Sequence, residues 1–181
     1  MTATRTSQEF VDVRAFHRKF DLIVGDRPQH LTRRKLQERV EFLLEELQEL
    51  AEGCGLEIDA VAGGVGVINS VAVPEQDLAK QADALVDLVY VALGTAVQLG
   101  LPWEVLWDDV HRANMSKVRG TTKRGHQVDV TKPEGWRGPR THEILREAGY
   151  DRARWCAPGK IDETRCVDDL REPVPEAEAQ P

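Results

Sequence analysis

The chain has 181 residues, enough for one domain with a single core, or one domain and a tail. Hydrophobic residues make up 41% and charged residues 30%, which excludes a disordered chain, and a net charge of -7 argues against a nucleic acid polymer as partner. No apolar run reaches the roughly 18 residues of a membrane span, and Met1 to Glu9 has no apolar secretion core.

The best candidate for a span, Leu85 to Leu101, is interrupted by Asp87 and Gln98. Cys54, Cys156 and Cys166 form no Cys-x-x-Cys, so neither a disulfide framework nor a zinc site is indicated. The expectation is a cytoplasmic protein.

A first helix is predicted from about Ser7, a plausible cap, to Leu22, with Phe10, Val11, Val13, Phe16 and Phe20 at helical spacing. Gly25, Asp26 and Pro28 break the chain. A second helix runs from Thr32 to Glu52, with an apolar stripe of Leu36, Val40, Leu43, Leu44, Leu47, Leu50 and Ala51, and stops at Gly53 and Gly55. Residues 53 to 74 form a Gly/Val-rich insertion, either flexible or a short β-hairpin. A third helix starts at Pro74 and continues to Leu99; its middle, Leu85 to Val97, is apolar almost all round, the mark of a helix buried on most sides. A fourth, from Pro102 or Trp103 to Lys117, is amphipathic through Val105, Leu106, Val110 and Met115. Polar loop follows to Pro139, then a short helix from Thr141 to Ala148. The fold class is all-α: a four- to five-helix bundle over residues 1–149, with residues 150–181 a polar tail.

The second helix carries Glu45, Glu46 and Glu49, and spacing three puts Glu46 and Glu49 on nearly one face. A solvated acidic face explains these three residues by themselves. Asp83 and Asp87 are harder to explain, because they sit four apart inside an otherwise apolar helix. A charged Asp is seldom buried without a partner, and two on adjacent turns repel. A salt bridge is the structural explanation, but Lys80 is the only base nearby on that face. Divalent cations solve the problem more completely, since Mg²⁺ prefers carboxylates, water and substrate phosphates. Two antiparallel helices presenting Glu46, Glu49, Asp83 and Asp87 to each other would make such a site. A di-iron bundle would need Glu-x-x-His, which is absent, as are zinc-peptidase, Walker-A and dinucleotide fingerprints.

From His111 to Arg140 there are eight Lys or Arg, opposed only by Asp129 and Glu134, so this segment is +6 within a chain of -7. Lys117, near a helix C-terminus, is favourable there for purely structural reasons. Carboxylates that take metal ions and a basic segment that neutralises phosphates together suit a polyphosphate substrate.

These residues resemble the MazG-like, all-α nucleoside triphosphate pyrophosphohydrolase superfamily, which includes phosphoribosyl-ATP pyrophosphohydrolase and a dimeric-dUTPase-related branch. The matching segments are Ala15-Phe16-His17, Leu43 to Leu50, Asp83 to Val91, His111 to Lys117, and Lys132-Pro133-Glu134-Gly135-Trp136. The resemblance implies a Mg²⁺-dependent enzyme, with Mn²⁺ as an alternative metal, that hydrolyses a nucleotide to the monophosphate and pyrophosphate. The family's Glu-x-x-Glu falls on Glu46 and Glu49. Its second motif is commonly Glu-x-x-Asp; Asp87 matches the final residue, position 84 is Ala, and Asp83 is displaced by one. Asn114 and Lys117 are implied to contact the sugar or phosphates.

The resulting expectation assigns Glu46, Glu49, Asp83 and Asp87 to the metal, and Glu45, Glu46 and Glu49 to catalysis. Arg112, Asn114, Lys117, Arg119 and Lys132 are assigned to the substrate. That substrate is a dUTP-like or non-canonical (d)NTP, with phosphoribosyl-ATP as the alternative. A rival from another class is a catalytically silent helical module that binds a nucleotide or a protein partner. Four short helices leave much surface to cover, so a homodimer or homotetramer is expected.

Overall fold

The computed structural model describes residues 7–61, 64–69, 76–120 and 129–150. Five helices dominate: α1 (Gln8–Lys19), α2 (Arg33–Gly53), α3 (Leu78–Gln98), α4 (Trp103–Met115) and α5 (Thr141–Glu147). Between them lie two small antiparallel hairpins, β1 (Leu56–Val61) with β2 (Gly64–Asn69), and β3 (Val118–Gly120) with β4 (Asp129–Thr131). The all-α class holds. The Gly/Val insertion is, of its two alternatives, the hairpin. The loop expected after Gly120, through Pro139, contains β4, which pairs with β3 immediately before that loop. Residues 151–181, expected as a tail, lie outside the described residues, as does Pro74. Among the described residues no helix is long and apolar enough to cross a membrane.

The chain divides into two compact units, one comprising residues 7–29 and 96–150 and the other residues 30–95. In the first unit α1 is capped by Ser7, whose hydroxyl accepts from the Phe10 amide. The helix ends where Asp21 turns left-handed (φ 52°), a conformation that Asp tolerates. His17 is 3% exposed, and its Nδ1 donates to the Ile23 carbonyl at 2.9 Å, holding the chain as it leaves the helix. The buried stripe of α1 is therefore Phe10, Val13 and His17. Phe16, Phe20 and Val11, expected among the apolar stripe, are exposed. In α4 the buried residues are Asp109 and Ala113, whereas the predicted Val105, Val110 and Met115 are exposed. Of the predicted stripe only Leu106 is half-buried; the inner face of α4 runs through Trp103, Leu106, Asp109 and Ala113, so a charge and an alanine occupy its most buried positions.

The C-terminus of α3 shows how this unit is closed. A helix end leaves its last carbonyls without intrahelical donors. Those of Val97, Gln98 and Leu99 accept from the Gly25 amide, the Gln29 side chain and the Gln29 amide, at 2.9, 2.9 and 3.0 Å. Gly100, with φ +63°, completes a Schellman turn in which Leu101 N donates to Ala96 O and Gly100 N to Val97 O. The two backbones touch so closely that a Cβ on Gly25 would lie 2.5 Å from the Gly100 nitrogen.

In the second unit α2 begins at Thr32, whose hydroxyl accepts from the Lys35 amide. Asp77, not Pro74, starts α3: its carboxylate accepts from the amides of Ala79 and Lys80. Helices α2 and α3 run antiparallel. Arg39 reaches the Val91 carbonyl (2.7 Å) and the Thr95 hydroxyl (3.1 Å), while Gly53 O accepts from Gln81 Nε2 (2.9 Å) at the other end. The expectation that α3 is buried on most sides is met toward its C-terminus, where Leu93, Gly94, Ala96 and Val97 are buried, and is not met in the preceding turns. Leu85, Val86 and Val89 are exposed, because the inward face is the narrower line of Gln81, Ala84, Leu88 and Val91.

Gly100→Ala should destabilise the fold by about 2 kcal/mol or more, since a left-handed residue with a Cβ costs about 1–2 kcal/mol before its collision with the Arg27 carbonyl. Chemical denaturation of the variant measures this, and a loss under 0.5 kcal/mol would contradict the close approach.

Candidate active site

The predicted carboxylates all fall in the second unit, on α2 and α3. Among the residues of α2 that are not exposed, Arg39, Leu43, Glu46, Leu50 and Gly53 form one line at alternating spacings of four and three. Glu46 is thus inside the stripe that faces α3. Burial is the largest influence on its carboxyl and pushes it above the ordinary value. The charges of Asp87, Glu49, Glu45 and Asp83 push it the same way. Helix geometry thus brings together the four acids assigned to the metal, with Glu45 close enough to be felt. Glu45, Glu49, Asp83 and Asp87 are exposed, and among the described residues none of the five acids has an ion-pair partner. Lys80, the base that a salt-bridge explanation of the aspartates would need, bonds Glu52 at 2.7 Å.

The position of Asp83 has a packing reason. Ala84 is 1% exposed and occupies the helix interface. A longer acid at 84 would be driven into that interface, whereas position 83 stays at its edge. Among the described residues no three acidic, histidine or cysteine side chains converge closely enough to hold a metal ion together. The donor set is nevertheless all carboxylate oxygen, the chemistry that hard divalent cations take, and three of its groups, Glu49, Asp83 and Asp87, are exposed and hence able to turn.

The predicted cations fall in the first unit. Arg112 is engaged by Asp109, at 2.9 Å, and Arg140 approaches the same carboxylate at 3.5 Å. The Arg140 backbone amide also donates to Asp109, at 2.5 Å. That hydrogen bond is the largest of the influences that hold the Asp109 carboxyl below the ordinary range. Lys117 and Lys132 both stand over the Trp136 ring, at 6.0 and 4.6 Å from its centroid. Asn114 is exposed at the end of α4, and Arg119 is exposed on β3. Sequence reasoning missed Asp109. The signal for Asp109 was Arg112 three residues on, the pairing distance of a helix. A cavity of about 220 Å³ in this unit, lined by Phe10, Arg14, Arg27, Leu101 and Glu104 among others, includes none of the predicted site residues.

The family model for phosphoribosyl-ATP pyrophosphohydrolase matches residues 13–114. The chain belongs to this family. The phosphoribosyl-ATP pyrophosphohydrolase family is part of the MazG-like all-α superfamily, as the resemblance implied. Its members are pyrophosphohydrolases acting on nucleotide-like substrates, so this chain is by family a hydrolase. The matched span contains Glu45, Glu46, Glu49, Asp83, Asp87, Arg112 and Asn114, and ends before Lys117, Arg119 and Lys132. No curated protein matches the sequence.

Two measurements follow from these charges. Because the carboxyl of Glu46 is raised, the native state holds its proton more readily than the unfolded chain. That contribution to stability is therefore present at acid pH and is lost as pH rises above 4.5 through the higher native value. Glu46→Gln should melt at or above wild type at pH 7 in metal-free buffer, with the two curves converging toward pH 4. A variant that melts well below wild type at pH 7 would show instead that the charge is structural. Asp109→Asn should cost about 2–3 kcal/mol in denaturant unfolding, because a buried acceptor of two arginines loses its charge.

Proposed function

We propose that the chain hydrolyses a nucleoside triphosphate, dUTP-like or non-canonical, to the monophosphate and pyrophosphate with Mg²⁺, removing such nucleotides from the cellular pool. The observation that carries this reading is the placement of Glu46, Glu49, Asp83 and Asp87 on two antiparallel helices, near enough for the other three to raise the Glu46 carboxyl, with no ion pair to any of the four among the described residues. Those four residues would hold Mg²⁺, with Mn²⁺ as a substitute. When bound, the ion supplies positive charge against phosphate oxygens and lowers the pKa of an attacking water.

The remaining work belongs to the protein's own groups. Glu45 or Glu49, exposed beside the cluster, orients the water and takes its proton. Glu46, with its raised carboxyl, is poised to be relieved of repulsion by a cation. Lys117, Arg119 and Lys132 balance the charge of the departing pyrophosphate, and Asn114 contacts the sugar or a phosphate. Arg112, already paired with Asp109, contributes partly shielded charge.

Phosphoribosyl-ATP is the second reading, and the family match favours it directly. A silent binding module is the rival from outside enzymology. The helices also support self-association: α2 exposes Leu36, Val40, Leu44 and Leu47 on one face, and α3 exposes Leu85, Val86 and Val89. A second copy, as a homodimer or homotetramer, would cover them.

A panel of (d)NTPs and phosphoribosyl-ATP, assayed with and without Mg²⁺ and with products separated by chromatography, tests the reading. The expected result is monophosphate plus pyrophosphate from a triphosphate, lost with chelator and reduced about 100-fold or more in Glu46→Gln. Release of orthophosphate would count against it. Binding without turnover of any nucleotide would favour the silent module. Light scattering at micromolar concentration should give at least the mass of a dimer.

A further inference from the structure

The hairpin β3–β4 pairs Val118 with Thr131 as the residues nearest its open end. One step beyond that pair, just outside the two strands, stand Lys117 and Lys132. Like charges opposite each other on neighbouring strands are destabilising, and the described residues contain no ion-pair partner for either lysine. What holds both is an aromatic ring. Each ammonium lies within about 6 Å of the Trp136 centroid, the range of a cation–π attraction.

The ring itself is fixed from three sides. Its Nε1 donates to the Ala113 carbonyl at 2.9 Å, near the end of α4. The turn that delivers it, Pro133 to Trp136, is closed by the Trp136 amide donating to Pro133 O at 3.1 Å, with Gly135 at φ +70°. Gly138 lies against the ring edge, where a Cβ would come within 3.4 Å. Beyond it, Asp109 clamps Arg140 by backbone and side chain. Glu134, in the same turn, is exposed and pairs with neither lysine.

An indole locked by helix, turn and glycine, carrying two cations that repel each other, is arranged for an anion that bridges them. We propose that Trp136 is a positioning residue that presents Lys117 and Lys132 together as a binding site for a phosphate chain. This deepens, and rests on, the reading of the chain as a pyrophosphohydrolase. Trp136 itself does not stack the base in this arrangement; it sets the spacing of two ammonium groups and so the affinity for the polyphosphate part of the substrate.

Isothermal titration of the full-length chain with inorganic pyrophosphate at low ionic strength tests this. Trp136→Phe keeps a ring face and loses the indole N–H, and should bind within about threefold of wild type. Trp136→Leu should bind about tenfold or more weakly, and so should the Lys117→Met/Lys132→Met pair. Lys35→Met, whose lysine is paired with Glu38, should be unchanged. In turnover the Leu variant should raise KM more than it lowers kcat, with the Phe variant restoring KM. Equal losses in Phe and Leu, or undiminished pyrophosphate binding by a Leu variant with wild-type melting, would overturn the proposal. The two readings fail separately. Nucleotide turnover with ring-independent pyrophosphate binding leaves the hydrolase standing without the positioning role. Ring-dependent pyrophosphate binding without turnover of any nucleotide does the reverse.

Discussion

Repulsion among carboxylates is the constraint under which α2 and α3 are joined. Glu46 sits in the contact stripe itself, with Glu45, Glu49, Asp83 and Asp87 around it. Helices bearing such charge stay paired only if attraction elsewhere exceeds the repulsion. The attraction is placed at both ends of the pair. Arg39, half-buried, bonds the Val91 carbonyl and Thr95 hydroxyl and packs over Phe42 at one end. Gly53 and Glu52 take hydrogen bonds from Gln81 and Lys80 at the other. Hydrogen bonds from a charged donor contribute more than neutral ones, about 1.5–3 kcal/mol, whereas the exposed Lys80–Glu52 pair adds little. The middle is left to the acids, which makes it the place where a cation gains most by arriving.

The same economy of purpose appears in the apolar surface. A helix whose apolar residues circle it must be covered on several sides; α3 is so covered from Leu93 to Gln98, but on one side only around Leu85, Val86 and Val89. On α2 the outward stripe of Leu36, Val40, Leu44 and Leu47 is as regular as the inward one. The inward face packs on α3, and the outward one is the regular apolar surface on which the proposal of self-association rests.

The helices were legible because their boundaries carry local signals: Ser7 and Thr32 cap, Gly55 and Gly100 stop, and the apolar periods lie between. The acidic constellation was legible because spacing on a helix converts directly into a shared face. The choice of buried face was not. Phe16, Phe20 and Met115 look like core in a sequence, yet His17 and Asp109 are the buried groups. Each of these polar residues is buried by a specific bond to a residue distant along the chain or beyond the helix, and no periodicity reveals that bond. The short strands β3 and β4 were read as loop since three residues carry no pattern. Their consequence, the meeting of Lys117 and Lys132, depends on register and was invisible for the same reason.

The base of the first hairpin has a consequence for the length of the chain. Gly53 O accepts from both the Asp77 amide and the Gln81 side chain, so the path between α2 and α3 is stitched shut before the hairpin β1–β2 begins. The helix pair does not feel how much polypeptide lies between residues 54 and 76. Doubling such a loop adds only about 0.6 kcal/mol of closure entropy. The hairpin is in this sense a module hung on a closed ring: the segment can be shortened, lengthened or exchanged for foreign sequence while the two helices keep their alignment.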